Sequence, residues 1–184
     1  MNKLLILFVT LYFCITGCTN EENKTSVNEI HNHQMQLDLY FDTSLNNASQ
    51  QMQKESNRMI LSSTKETDYF IEPGGAYEKA NAPLLLRKIN NTRPFTFIAK
   101  LTPEHKVKYD AGMAFIYVNE KHWFKFAFEV DEQMNTRIVT VRTNESSDDN
   151  NHEIVKEKTV YLKISSDTKS IGFTFRLMGL YGIL

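Results

Sequence analysis

One nine-residue stretch, His122-Trp123-Phe124-Lys125-Phe126-Ala127-Phe128-Glu129-Val130, limits what this chain can fold into more than any other. Successive side chains of a strand point to opposite faces. Phe124, Phe126, Phe128 and Val130 therefore share one face, and Trp123, Lys125, Ala127 and Glu129 share the other. A helical period of 3.6 scatters both sets, whereas a period of 2 sorts them cleanly. The stretch predicts a strand with a pure core face and a mixed aromatic and charged face.

Other segments follow the same period. Phe95, Phe97, Ala99 and Leu101 alternate after Pro94, which is tolerated at a strand start. Residues 113–118 are apolar on both faces, as expected of a strand covered on both sides. Strands are also expected at 37–41, 58–62, 83–86, 137–142, 159–164 and 171–177. Pro73-Gly74-Gly75 reads as a turn, because Pro presets one dihedral and Gly accepts a positive one. Residues 44–58 read as a loop or short helix, and 144–151 as a polar, acidic loop. Twelve Phe and eight Tyr against one Trp suit a β-rich core. With no convincing amphipathic helix and no internal repeat, the pattern predicts an all-β sandwich of two antiparallel sheets.

The N-terminus reads as an address. Met1-Asn2-Lys3 gives a positive start, and residues 4–15 are apolar apart from Thr10. That run is shorter than the roughly 20 residues a membrane-spanning helix needs, and it fits the hydrophobic part of an export signal. It ends in Ile15-Thr16-Gly17-Cys18, which resembles a lipoprotein signal. The expectation is a signal peptide over 1–17, a lipid on Cys18, a polar tether over 18–36 and a folded domain over 37–184. The protein is then exported and lipid-anchored in the cell envelope. Cys14 and Cys18 are the only cysteines, so the mature domain has no disulfide and no Cys-metal chemistry. His31 and His33 fall in the tether, where a solvated pair outweighs a metal site.

Charge narrows the partners. Lys and Arg number 21 against 22 Asp and Glu, for a net charge of −1. Loss of Lys3 with the signal moves it to −2. Neither value is the basic excess of a nucleic-acid binder.

Several segments together carry a family resemblance: Thr67-Asp68-Tyr69-Phe70, Asn81-Ala82-Pro83, Tyr109-Asp110-Ala111-Gly112, Trp123-Phe124-Lys125 with Glu129, and Val139-Thr140-Val141-Arg142-Thr143 leading into Ser147-Asp148-Asp149-Asn150. In this order, from about residue 59 onward, the chain resembles the regulation-of-enolase-protein family of small concanavalin A-like domains of unknown function. The resemblance implies a two-sheet jelly roll of the legume-lectin and glucanase type. Toward the C-terminus the pattern departs. In the family, a strand like 171–177 leads into an Asp-Gly turn, a Trp and further strands. Here Met178-Gly179 holds the turn position and the sequence continues apolar to Leu184. The departure implies a sandwich lacking late strands, with exposed edges and core, and hence poor solubility or partner-dependent stability.

The mixed face suggests a ligand. A Trp ring stacks on the C–H face of a sugar while Lys and Glu hydrogen-bond hydroxyls, so Trp123, Lys125 and Glu129 are the binding candidates. The family motifs imply that Asp68, Tyr69, Tyr109 and Asp110 converge on them. The bland alternative is a cross-strand Lys125–Glu129 pair of little energetic weight, with Trp123 capping the core edge. A non-catalytic carbohydrate-binding domain is the leading expectation, with no cofactor and no metal. A glucanase-type hydrolase is the alternative. It needs two carboxyl groups, roughly 5–5.5 Å apart in the retaining case, and Glu129 with Asp110 or Asp131 would supply them. Asp131 lies against the Gln133-Met134-Asn135 turn, which favours a strand end over a nucleophile. An interaction module without a small ligand is the third possibility. The Ser147-Asp148-Asp149-Asn150-Asn151 loop has oxygen ligands for Ca²⁺ but not the spacing of a calcium loop, and His105, His122 and His152 share no metal spacing.

Overall fold

The computed structural model describes residues 4–7 and 41–177. The expected lipidation site Cys18, the expected tether with His31 and His33, most of the strand expected at 37–41, and the C-terminal departure at 178–184 lie outside the described residues.

Fourteen strands and no helix make up what is described. They are β1 Leu4–Leu7, β2 Thr43–Leu45, β3 Met52–Lys54, β4 Met59–Leu61, β5 Tyr69–Ile71, β6 Glu78–Ala80 and β7 Leu84–Ile89, then β8 Phe95–Leu101, β9 Ala111–Asn119, β10 His122–Val130, β11 Thr136–Asn144, β12 Ser146–Ile154, β13 Val160–Ser166 and β14 Ile171–Leu177. A seven-stranded sheet runs in the order β12-β11-β10-β9-β1-β7-β2, and a three-stranded sheet in the order β14-β13-β8. Two small hairpins, β3–β4 and β5–β6, complete the set. Every pairing is antiparallel. β10 and β14 have the bounds their alternation predicts.

The phenylalanine face of β10 looks at the small sheet. Phe173 of β14 sits 6.0 Å from Phe124 and 5.4 Å from Phe126, centroid to centroid. Behind that contact lie the buried Phe97, Ala99 and Leu101 of β8 and Val160, Leu162 and Ile164 of β13. The alternation of β8 and β13 packs one face of each strand inward and leaves the other toward solvent, as a sandwich requires.

A second core covers the opposite face of the large sheet. Tyr69 of β5 lies edge-on to Phe115 at 5.2 Å and to Trp123 at 5.9 Å. Residues 114–116 and 126–128 are buried because packing covers the large sheet on both sides.

Two expectations change. The stretch 44–58 holds short strands and turns, not a helix. The polar run 144–151 is not a loop: it forms most of β12, the outer strand of the large sheet. Low β-propensity is tolerated there because a charged, exposed strand suits an edge. Glu145, at φ 67, makes the tight reversal into it. Ser147-Asp148-Asp149-Asn150-Asn151 is therefore extended backbone paired to β11, and not a calcium loop.

Candidate functional site

Cross-strand register shows what the mixed face of β10 contains. Directly paired residues share a face. Trp123 stands in a row with Tyr117, Thr143 and Ser147; Lys125 with Phe115, Val141 and Asp149; Ala127 with Met113, Val139 and Asn151; Glu129 with Ala111 and Arg137.

The 66–82 segment folds over one end of this face. Asp68 anchors it: its Oδ1 accepts from the Tyr69 amide at 2.7 Å and its amide donates to Asn81 Oδ1 at 2.8 Å. Asn46, held at φ 53, reaches in from the turn after β2. Its Nδ2 donates to the carbonyls of Ala80 and Ala82 at 3.0 and 2.7 Å and to the Tyr69 hydroxyl at 3.1 Å. Burial pushes that hydroxyl up to about 12, against the opposing Asn46 bond. The Ile71 amide donates to Ser147 Oγ at 2.9 Å, which ties the segment to the edge strand.

The covering changes the role of Trp123. The side chain is 1% exposed, packed between Tyr69 and Phe115, and its buried Nε1–H has no hydrogen-bond partner among the described residues. The open ring face that sugar stacking requires is not there. Trp123 is a core residue of the second layer.

Lys125 is also covered, at 5% exposure, yet it is not part of an apolar cluster. Its ammonium lies 3.4 Å from Asp68 Oδ1 and 3.3 Å from the Tyr69 carbonyl. The near partner of Lys125 is thus Asp68, and not Glu129 as the bland alternative had it. Glu129 lies further along the same face, partly buried. Burial pushes its carboxyl up to about 7; the Lys125 charge opposes this, while Asp68, Asp149 and Glu132 add to it. Arg137 stands directly opposite Glu129 but turns away, its guanidinium bonded to Asp131 Oδ2 at 2.7 Å.

Asp131 and Asp110, the partners named for Glu129 in a hydrolase, are both committed to turns. Asp131 is 2% exposed. It accepts from the amides of Gln133 and Asn135 at 3.0 and 2.7 Å and from Arg137. Burial opposes its charge, but these donors together hold the carboxyl below its usual range. Asp110 Oδ2 accepts from the amides of Lys106 and Val107, each at 2.8 Å, and shapes the loop before β9. Both carboxylates thus have a structural role in the turns that they hold. Tyr109 is 63% exposed at φ 68, with its backbone paired to Val130, so it stands beyond the Glu129 end of the strand.

Of the sequence candidates, the fold brings Asp68, Lys125 and Glu129 into one electrostatic cluster. It adds Asp149 from β12, and Tyr77, whose hydroxyl donates to Asp68 Oδ2 at 3.3 Å. Tyr77 carried no signal in the sequence, because only the hairpin turn brings it back to Asp68. The histidines are held locally: His105 Nε2 on the Phe128 carbonyl, His122 Nδ1 on Asn119 and His152 Nε2 on Thr140.

Residues 45–180 match the family described as protein of unknown function (DUF1349), and the chain belongs to that family. A solved structure of a functionally unknown protein from Saccharomyces cerevisiae is similar at a TM-score of 0.59 and 17% identity, over 73% of this chain and 77% of that one. At that identity the likeness is one of fold. No curated protein matches the sequence.

Proposed function

We propose that this member of a family of unknown function is an envelope lipoprotein, anchored through Cys18, whose sandwich binds carbohydrate without catalysis on the Lys125–Glu129 face. One observation carries the reading. A covered lysine, with Asp68 beside it and Glu129 along the strand, stands among the buried apolar residues Phe115, Val139, Val141 and Ala127 of the same face. Packing does not call for charges there, and burying them costs free energy. A carboxyl pushed up by burial beside charged partners, as at Glu129, is the pattern by which functional sites are recognised. Both signs of charge beside an exposed tyrosine suit hydroxyl-rich ligands. In this reading sugar hydroxyls bond Glu129, Asp68 and Asp149, and Tyr77 takes the stacking role first assigned to Trp123.

A glycan array run beside a reducing-sugar release assay tests it. The expected result is saturable binding with no reducing ends released, weakened about tenfold or more by Glu129→Gln and by Asp68→Asn, roughly the loss of one charge-assisted hydrogen bond. Binding to no glycan leaves an interaction module without a small ligand. Release of reducing ends that Glu129→Gln abolishes makes the protein a hydrolase. A carboxyl pushed up to about 7 is in the protonation range of a general acid, and Asp68 or Asp149 would then have to act as its partner.

A further inference from the structure

We propose that the position between β7 and β9 is a strand-acceptor slot, held in the precursor by Leu4–Leu7 and, once an export signal is removed, by an extended apolar strand of a partner protein. Leu4–Leu7 is hydrogen-bonded on both sides there. Leu4 pairs with Ile89 and Leu7 with Leu86 on one side, and Leu5 pairs with Tyr117 and Leu7 with Phe115 on the other. Among the described residues it is the strand that joins β7 and β2 to the rest of the large sheet.

The surroundings define the occupant. Of the residues that face the strand, Leu86 and Phe115, opposite Leu7, and Ile116, opposite Ile6, are buried, whereas Lys88, opposite Leu5, is exposed. A strand entering here therefore meets buried neighbours on both faces at its Leu86 and Phe115 end and needs apolar residues there, as the sequence of Leu4–Leu7 has. An empty slot leaves two rows of backbone donors and acceptors unpaired within the core, which folded proteins avoid. Strand addition meets both demands: main-chain bonds supply affinity and alternate side chains fill the two faces.

Direction restricts the source. The entrant runs from the Ile89 and Tyr117 end toward Leu86 and Phe115, antiparallel to both neighbours. The chain leaves β14 at Leu177, level with Val160 and Leu101. Pro103, two residues past Leu101, packs against Gly112 so closely that an added Cβ there would lie 3.2 Å from it. The exit of β14 is therefore at the opposite end of the slot. A strand continuing directly from it would enter parallel to β9, so a partner in trans is the better-fitting source.

The slot itself follows from the pairing. The exchange of occupants rests on the processing expected at Cys18, and the test separates the two. A protease site is placed in the 19–36 stretch of the full chain, which is then cut and followed by gel filtration and amide hydrogen exchange. The leader fragment is expected to stay with the body, with amides of 84–89 and 114–117 exchanging no faster than in the uncut chain. A labelled synthetic peptide of residues 1–10 should displace it, and the same peptide with Leu5→Pro and Leu7→Pro should not, because proline cannot donate to the ladder. Separation of the fragment with both strands still slow to exchange overturns the slot, as does equal competition by the proline peptide. Intact mass of the membrane-extracted protein decides the second half. Removal of 1–17, with slow exchange in 84–89 and 114–117 only when an added apolar strand peptide is bound, supports it. A retained leader, or slow exchange in the processed protein alone, overturns it.

Discussion

Glu129 keeps its proton about as far as neutral pH, and this has a measurable sign. Its carboxyl is raised from 4.5 to about 7, first by burial and then by Asp68, Asp149 and Glu132, with Lys125 opposing. Between these two values the unfolded chain has released the proton while the folded chain still holds it. Stability therefore falls as pH rises from about 4.5 to 7 and levels off above. Glu129→Gln should flatten that part of the melting profile and stabilise the protein at pH 8 by about 2 kcal/mol, within the ~1.4 kcal/mol per unit that links the two quantities. Thermal melts of both proteins from pH 4.5 to 8 check it, and parallel curves would refute it. Trp123 gives a second residue-scale prediction. Trp123→Ala removes a large buried ring and should cost about 3–5 kcal/mol in urea denaturation. Trp123→Phe keeps much of the packing and deletes the orphaned Nε1–H, so it should lie within about 1 kcal/mol of the parent. A loss of ligand binding in Trp123→Ala would thus report lost structure and not lost stacking. The sequence alternation assigned Trp123, Lys125 and Glu129 to one face correctly. It carried no information on what lies across that face, because the covering Tyr69 is 54 positions away and makes its contact only through the tertiary fold.

At the scale of elements, most long strands were legible and, apart from β4 within the strand expected at 58–62, the short ones were not. β8, β10, β13 and β14 each run seven or nine residues, enough for a period of 2 to declare itself. β2 to β6 are three residues each, below that threshold. Their positions are set by tertiary hydrogen bonds such as those of Asn46. Asn46→Ala removes the donor to Ala80 and Ala82 and places a Cβ residue of lower tolerance at φ 53. It should cost about 1–3 kcal/mol and speed amide exchange across β5 and β6. Asn46→Gly keeps the dihedral and loses the same bonds. Faster exchange in both variants assigns the effect to the lost amide, whereas a glycine variant with parent-like exchange would assign it to backbone strain and sink the hydrogen-bond account. β12 escaped the sequence reading for a different reason. Its Asp and Asn residues match turn chemistry, and only its pairing with β11 makes them a strand.

The whole molecule is a large sheet with a core on each face. That explains how a chain with 41% hydrophobic residues can bury β9 and β10 on both sides and still keep charges in the second core. The two cores differ in kind. The layer against β14-β13-β8 is aliphatic and phenylalanine, set by regular alternation, and was readable in advance. The layer under 66–82 is assembled from turns and short strands, and it contains the buried Lys125 together with its carboxylates. The candidate site lies in the part of the fold that local pattern specifies least, because its members come from β10 and β12, from the bend between β4 and β5 and from the turn between β5 and β6.

The outer edge of the large sheet has a consequence for copies packed at high density. β12 presents Asp148, Asp149, Asn150, Asn151, His152 and Glu153 in an unbroken exposed row. Two molecules approaching along this edge bring carboxylates against carboxylates before their backbones can pair. The row acts as a bumper against lateral fibril growth, so crowding on a surface should leave the molecules side by side and unmerged.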